Sequence, residues 1–164
     1  MSELSVGSLS GLAANSYVID VASGSLLTQP GMILQVIHFD TGTTTSTTST
    51  SYVDTSLTAT ITPSATSSKI LIQVQVQSLS QNNTADASKL AIFRGTVAGT
   101  ELDSSAFVYF NRTGTNIVGQ NLLFLDTPST TSAQAYTVGI KTDNASNTAS
   151  VSGKQNIVLM EVAG

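Results

Sequence analysis

The stretch Ile70-Leu71-Ile72-Gln73-Val74-Gln75-Val76-Gln77 places Ile70, Ile72, Val74 and Val76 two residues apart and sets Gln73, Gln75 and Gln77 between them. A period of two puts the branched apolar residues on one side of an extended chain and the amides on the other. The same alternation runs through Leu57-Thr58-Ala59-Thr60-Ile61-Thr62 and returns at Tyr136, Val138 and Ile140. Helical periodicity is nearly absent. Strands with one buried and one wet face belong to antiparallel sheets. The alternation therefore predicts an all-β chain in two packed antiparallel sheets. Ile70, Ile72, Val74, Val76, Tyr136, Val138 and Ile140 are expected inside.

Strands are expected at about 16–21, 32–39, 52–62, 69–77, 88–94, 106–110, 117–125, 134–142, 149–152 and 155–162. Turn formers separate them, among them Gln29-Pro30-Gly31, Thr62-Pro63-Ser64, Thr127-Pro128-Ser129, Asp143-Asn144 and Ser152-Gly153. Short strands at such spacing indicate an antiparallel β-sandwich, jelly-roll-like in kind. None of the three prolines falls inside an expected strand, as a ladder that needs its N–H groups requires.

Composition shifts at Gln29-Pro30-Gly31, dividing an N-terminal arm, 1–29, from a sandwich, 30–164. The arm is rich in Ser, Gly and small apolar residues. Its competent strand is Tyr17-Val18-Ile19-Asp20-Val21, and Leu26-Leu27 is an apolar anchor. Such a segment can add a strand to a neighbouring subunit or shell, or fold back as an edge strand of its own sandwich. Tyr17, Ile19, Val21, Leu26 and Leu27 are the arm's candidate contact residues. Residues 41–51 are almost entirely Thr and Ser, suiting either a long exposed loop or a polar strand at a subunit surface.

Charged residues make up 10% of the 164, against roughly 25% in ordinary soluble domains, and the net charge is −4. No basic patch is available for phosphates, so neither nucleic acid nor a membrane surface is an expected partner. The 40% hydrophobic content argues for a folded core in spite of the abundant Ser and Thr. Without cysteine there is no disulfide framework, thiolate metal site or cysteine nucleophile.

His38, the single histidine, lies in Val36-Ile37-His38-Phe39-Asp40, with no Gly-x-Ser-x-Gly elbow in the chain; it reads as a strand residue facing solvent or an interface. Glu101 and Asp103 would share a strand face, a pattern that more often marks a charged sheet edge than an acid pair. Asp143-Asn144-Ala145-Ser146-Asn147 lacks the spacing and closing Glu of a calcium loop and reads as a turn. No catalytic residue, metal site or cofactor is expected.

Several blocks occur together: Pro30-Gly31-Met32-Ile33-Leu34-Gln35-Val36; Ser51-Tyr52-Val53-Asp54-Thr55 running into Leu57–Pro63 and Ser67–Ile72; Leu125-Asp126-Thr127-Pro128 with Thr131–Val138; and the ending Ile157–Val162. In these the chain resembles, over about 30–164, a β-module of tailed-bacteriophage virions of the marine and cyanophage type. That module is found at fibre C-termini and in small capsid-associated proteins. The resemblance implies a jelly-roll-like sandwich, often trimeric, with no catalytic residues. It implies a virion component assembled in the host cytoplasm, with further copies of itself and the major capsid protein or another virion protein as partners.

A short chain with an arm and no fibrous shaft fits a capsid decoration (cement) protein held as a homotrimer. The alternative is a tail or head fibre module that recognises the host surface, where a glycan would be the partner. Gln73, Gln75 and Gln77 are candidate subunit contacts through their amides, or simply a solvated face.

Overall fold

A computed structural model describes residues 29–82, 87–106 and 116–164. The alternation at 70–77 becomes the two faces of a long central strand, β4 (Lys69–Gln81), whose Ile70, Ile72, Val74 and Val76 are all buried. Eight other strands surround it: β1 (Ile33–Thr41), β2 (Thr45–Thr47), β3 (Val53–Ile61), β5 (Ser88–Arg94), β6 (Thr100–Ala106), β7 (Asn116–Asp126), β8 (Gln134–Thr142) and β9 (Ala149–Val162). All regular structure among the described residues is strand, as the alternation predicts.

The first sheet has the order β1-β9-β4-β7, with the short β2 also paired to β9; the second has the order β3-β8-β5-β6. Every pairing is antiparallel. Leaving β2 aside, the first strand lies beside the last, and each sheet interleaves early and late strands. This is the jelly-roll order. Between the sheets lie Leu57 and Ile61 from β3, Leu90 and Ile92 from β5, Tyr136, Val138 and Ile140 from β8, and Ile157 and Leu159 from β9, all buried against the β4 residues. Each such side chain contributes about 1.5–3 kcal/mol through removal from water.

One strand expectation needs correction, and two strands were not singled out. The chain from 149 to 162 is one strand, not two: Gly153, at φ +71°, is a bulge rather than a turn. Between Val76 and Ser78 of β4, β9 advances from Gln155 to Ser152, one residue more than its partner. The left-handed φ favours glycine at this bulge, and a Cβ on Gly153 would stand 2.6 Å from Gln77 Oε1 and push that amide aside. Opposite β7, β4 itself carries the extra residue, pairing Val76 with Gln120 and Leu79 with Val118. That odd step lets Val76 and Leu79 both face inward and carries β4 on to Gln81. Second, β6 at 100–106 is a strand the sequence did not mark, while 107–110 of the strand expected at 106–110 lie outside the described residues. Third, the Thr-rich stretch contributes β2 to the chain's own sheet, where Ser46 and Ser150 share a hydroxyl hydrogen bond.

The outer faces of the two sheets differ. Ala91, Phe93 and Thr137 point outward from the second sheet yet are buried. Tyr52 packs edge-on against Phe93, ring centroids 5.0 Å apart, and Lys141 Nζ lies 4.5 Å from the Tyr52 ring centre. A Cβ on Gly139 would stand 2.9 Å from Val97 Cγ1 and 3.0 Å from Phe93 Cε2, so this cover sits directly on the backbone of β8. The outer face of the first sheet has no comparable cover among the described residues.

Candidate assembly surface

Strand register turns the outer face of the first sheet into bands that run across the strands. Leu71 of β4 lies opposite Leu125 of β7 and Met160 of β9, and Met160 lies opposite Val36 of β1. One row, Val36–Met160–Leu71–Leu125, thus spans all four long strands and is apolar throughout. The row on one side pairs Ile33, Val162 and Lys69; the row on the other is His38–Val158–Gln73–Leu123. Ile33, Val36, Leu123 and Leu125 retain 53%, 55%, 64% and 49% of their surface. An apolar patch of this kind on a soluble domain marks an interaction site.

Beyond it the face becomes polar. Asp40, Asn156, Gln75 and Asn121 form the next row, with Asn156 Nδ2 donating to Gln75 Oε1 at 3.2 Å. Gln77 Oε1 accepts from the Lys154 backbone N–H at 2.9 Å, satisfying a donor released by the Gly153 bulge. Farther on, Ser46, Ser150 and Ser80 make a hydroxyl band with Ile117 at its β7 end. The face therefore carries an apolar, an amide and a hydroxyl band in order along the strands.

Two polar clasps lie directly behind the apolar band. Gln35, Glu161, Ile70 and Asp126 form the matching row on the inner side of the sheet. Asp126 Oδ2 accepts from Tyr136 Oη at 2.8 Å and from Arg94 Nε at 2.8 Å, and Oδ1 accepts from Arg94 Nη2. This carboxylate on the first sheet ties down β5 and β8 of the second. Burial and the hydrogen bond to Asp126 push the Tyr136 phenol well above its ordinary range. On the other flank, buried Glu161 accepts at 2.6 Å from each of Ser64 N, Ser64 Oγ and Gln35 Nε2. Burial alone would raise its pKa, but these donors prevail and hold the carboxyl at about 2.

Gln73, Gln75 and Gln77 stand exposed on the outer side of β4, the face their alternation assigns. Two of them are engaged within the chain: Gln75 with Asn156 and Gln77 with Lys154. Tyr17, Ile19, Val21, Leu26 and Leu27 lie outside the described residues. His38 is exposed in the apolar half of the face. Glu101 and Asp103 are on β6, an edge strand of the second sheet. Residues 143–147 form a turn in which Ser146 N donates to Asn144 Oδ1 at 3.0 Å. No group of three metal-ligating side chains occurs among the described residues.

The apolar band itself was not singled out from sequence, although a signal exists. Leu122-Leu123-Phe124-Leu125, Ile157-Val158-Leu159-Met160 and Ile70-Leu71-Ile72 are uninterrupted apolar runs. A strand that is apolar at consecutive positions is apolar on both faces. Three such strands brought side by side make a two-sided apolar sheet at one end.

No known protein family and no curated protein matches the chain. Among solved structures it is similar to the VP2 subviral particle of infectious bursal disease virus, at 13% identity and a TM-score of 0.44, over 87% of this chain and 36% of that one. It is similar also to the Gt strain structure of that virus, at 15% identity and a TM-score of 0.39, over 90% and 42%. The chain thus spans about two-fifths or less of those proteins. A likeness at that score leaves function open.

Proposed function

We propose that this protein is a structural virion component, a capsid decoration protein of a tailed phage that binds the outer shell as a homotrimer. The observation that carries the reading is the outer face of the first sheet: apolar over one half, poor in charge, uncovered among the described residues and backed by two hydrogen-bonded clasps. Charge depletion with a contiguous apolar centre is the composition of an interface core. The virion assignment rests on the resemblance in 30–164 to phage β-modules. The role is one of contact rather than chemistry, with further copies of the chain and the major capsid protein or another virion protein as partners.

The arm, 1–29, supplies the anchor in this reading, and 30–164 is the unit that folds. Met32 N donates to Gln29 O at 3.0 Å and Gly31 stands at φ +85°, a type II turn with Pro30 at its second position. Gly31 N and Ala163 N bond across to Ala163 O and Met32 O at 2.8 Å each, pinning the turn to the end of β9. The turn at 29–32 therefore lies next to Ile33, at the margin of the apolar band. Tyr17, Ile19, Val21, Leu26 and Leu27 are the arm's contacts, with Gln73, Gln75 and Gln77 as contacts on the sheet face. Many copies with modest contacts each would hold through avidity.

Copy number per particle, by quantitative mass spectrometry of purified virions against the major capsid protein, tests the reading. Decoration requires copies in the hundreds. A handful would replace it with a fibre module for host recognition, and absence from particles would overturn the virion assignment.

A further inference from the structure

We propose that copies of this chain pack through the outer face of the first sheet around a rotation axis that runs along its strands. Apolar band then meets apolar band, and amide band meets amide band. The inference rests on the self-assembly reading above and adds the geometry of contact.

The banding decides the axis. Rotation about a line parallel to the strands keeps every residue at its own height, so each band meets its own kind whatever the number of copies. A twofold axis lying in the face across the strands would invert the heights. It would set Val36, Leu71 and Leu125 against Ser46, Ser80 and Ser150, leaving hydroxyls and amides buried against hydrocarbon, which is costly. Charge is sparse on this face. On this face Lys69 sits at one end, and Asp40 and Lys154 pair near the β1 margin at 3.8 Å. No charged residue occupies the interior of the apolar and amide bands.

Area agrees as well. Four strands spaced about 4.8 Å apart, the longest running about 40 Å, give a face of roughly 800 Å². Two copies meeting face to face would bury the roughly 1,600 Å² of a standard stable interface, and around a threefold axis each copy divides the same face between its two neighbours. The apolar half alone would give about half of that, in the range of incidental contacts. The whole banded face must therefore take part, which requires the bands to be in register.

The most exposed apolar side chains stand at the two margins, Ile33 and Val36 on β1 and Leu123 and Leu125 on β7. An axis along the strands carries the β1 margin of one copy onto the β7 margin of the next. Val36 then stands at the height of Leu125, and His38 at the height of Leu123. Around a threefold axis this contact is head-to-tail and closes after three copies.

Disulfide trapping in the full-length chain, which has no cysteine of its own, tests the geometry. Val36 and Leu125 lie three strand spacings apart within one chain, about 14 Å. A disulfide needs Cα atoms within about 7 Å, so the V36C/L125C variant can close only between copies. Oxidation should give a covalent trimer on a non-reducing gel. H38C/L123C, in the neighbouring row, should do the same, and V36C/S80C, which joins unlike bands, should not. Each variant is first matched to the parent in circular dichroism and urea midpoint. A covalent dimer would support the axis and overturn the trimer. Trapping by V36C/S80C, or none by either like-band pair in a protein whose mass shows oligomers, would overturn the axis while leaving self-assembly standing. A monomeric mass with no trapping would overturn both.

Discussion

Truncating Asp126 to alanine should be among the most damaging single substitutions in the chain. Its carboxylate is 3% exposed and accepts three hydrogen bonds, two from the Arg94 guanidinium and one from the Tyr136 hydroxyl. Truncation leaves the fully buried Tyr136 hydroxyl without its partner and strands the half-buried Arg94 charge beside it. The unpaired Tyr136 hydroxyl alone costs about 1–3 kcal/mol, and the partly buried Arg94 charge left beside it raises the loss toward the roughly 3–5 kcal/mol of a broken buried pair. Asp126→Asn keeps the shape and an acceptor for Arg94, and Tyr136→Phe removes one neutral donor, so each should cost about 1–2 kcal/mol. With a urea slope of about 2 kcal/mol/M, Asp126→Ala lowers the midpoint by about 2 M at unchanged slope. The comparison is made at one protein concentration, since self-association adds to apparent stability. A loss below about 1 kcal/mol for Asp126→Ala would refute the clasp as a tie between the sheets.

Other outcomes follow from the same geometry. The Glu161 carboxyl is held at about 2 against an ordinary 4.5, so its stabilisation is fully present above 4.5 and drains away as pH falls toward 2. Melting temperatures between pH 5 and 2 should therefore fall more steeply for the parent than for Glu161→Gln, and parallel curves would remove Glu161 from the account. Gly139→Ala forces a methyl against Val97 and Phe93 and should cost about 1–3 kcal/mol in urea unfolding, whereas a neutral result would mean that this cover is loose. Deleting 1–29 should leave a β domain with the parent's circular dichroism that no longer joins particles. Full occupancy by the truncated protein would show that the arm is not the anchor, and failure to fold would make it an internal strand.

The core was legible because β-strand burial writes itself into the sequence at period two. Spacing alone places Ile70, Ile72, Val74, Val76, Tyr136, Val138 and Ile140 in the interior, and all seven are buried. What escaped the reading has physical causes. The bulges at Gly153 and after Val76 add one residue without changing composition, and a glycine at positive φ looks the same in a bulge as in a turn. Strand β6, Thr-Glu-Leu-Asp-Ser-Ser-Ala, offers one large apolar side chain, Leu102, because an edge strand needs little more to stay attached. The candidate surface was half legible. The glutamines marked the outer side of β4, but the apolar band is composed from four strands that the sequence keeps far apart: 36, 71, 125 and 160 become neighbours only through register.

The central claim is that the banded outer face of the first sheet exists to meet further copies of itself. Light scattering of the full-length chain, alongside a Leu71→Lys/Leu125→Lys variant that places two charges in the apolar band, tests it most directly. The account predicts a parent mass of three times 16.9 kDa and a folded monomer for the variant. A parent that stays monomeric as concentration rises, or a variant that assembles as the parent does, would contradict it.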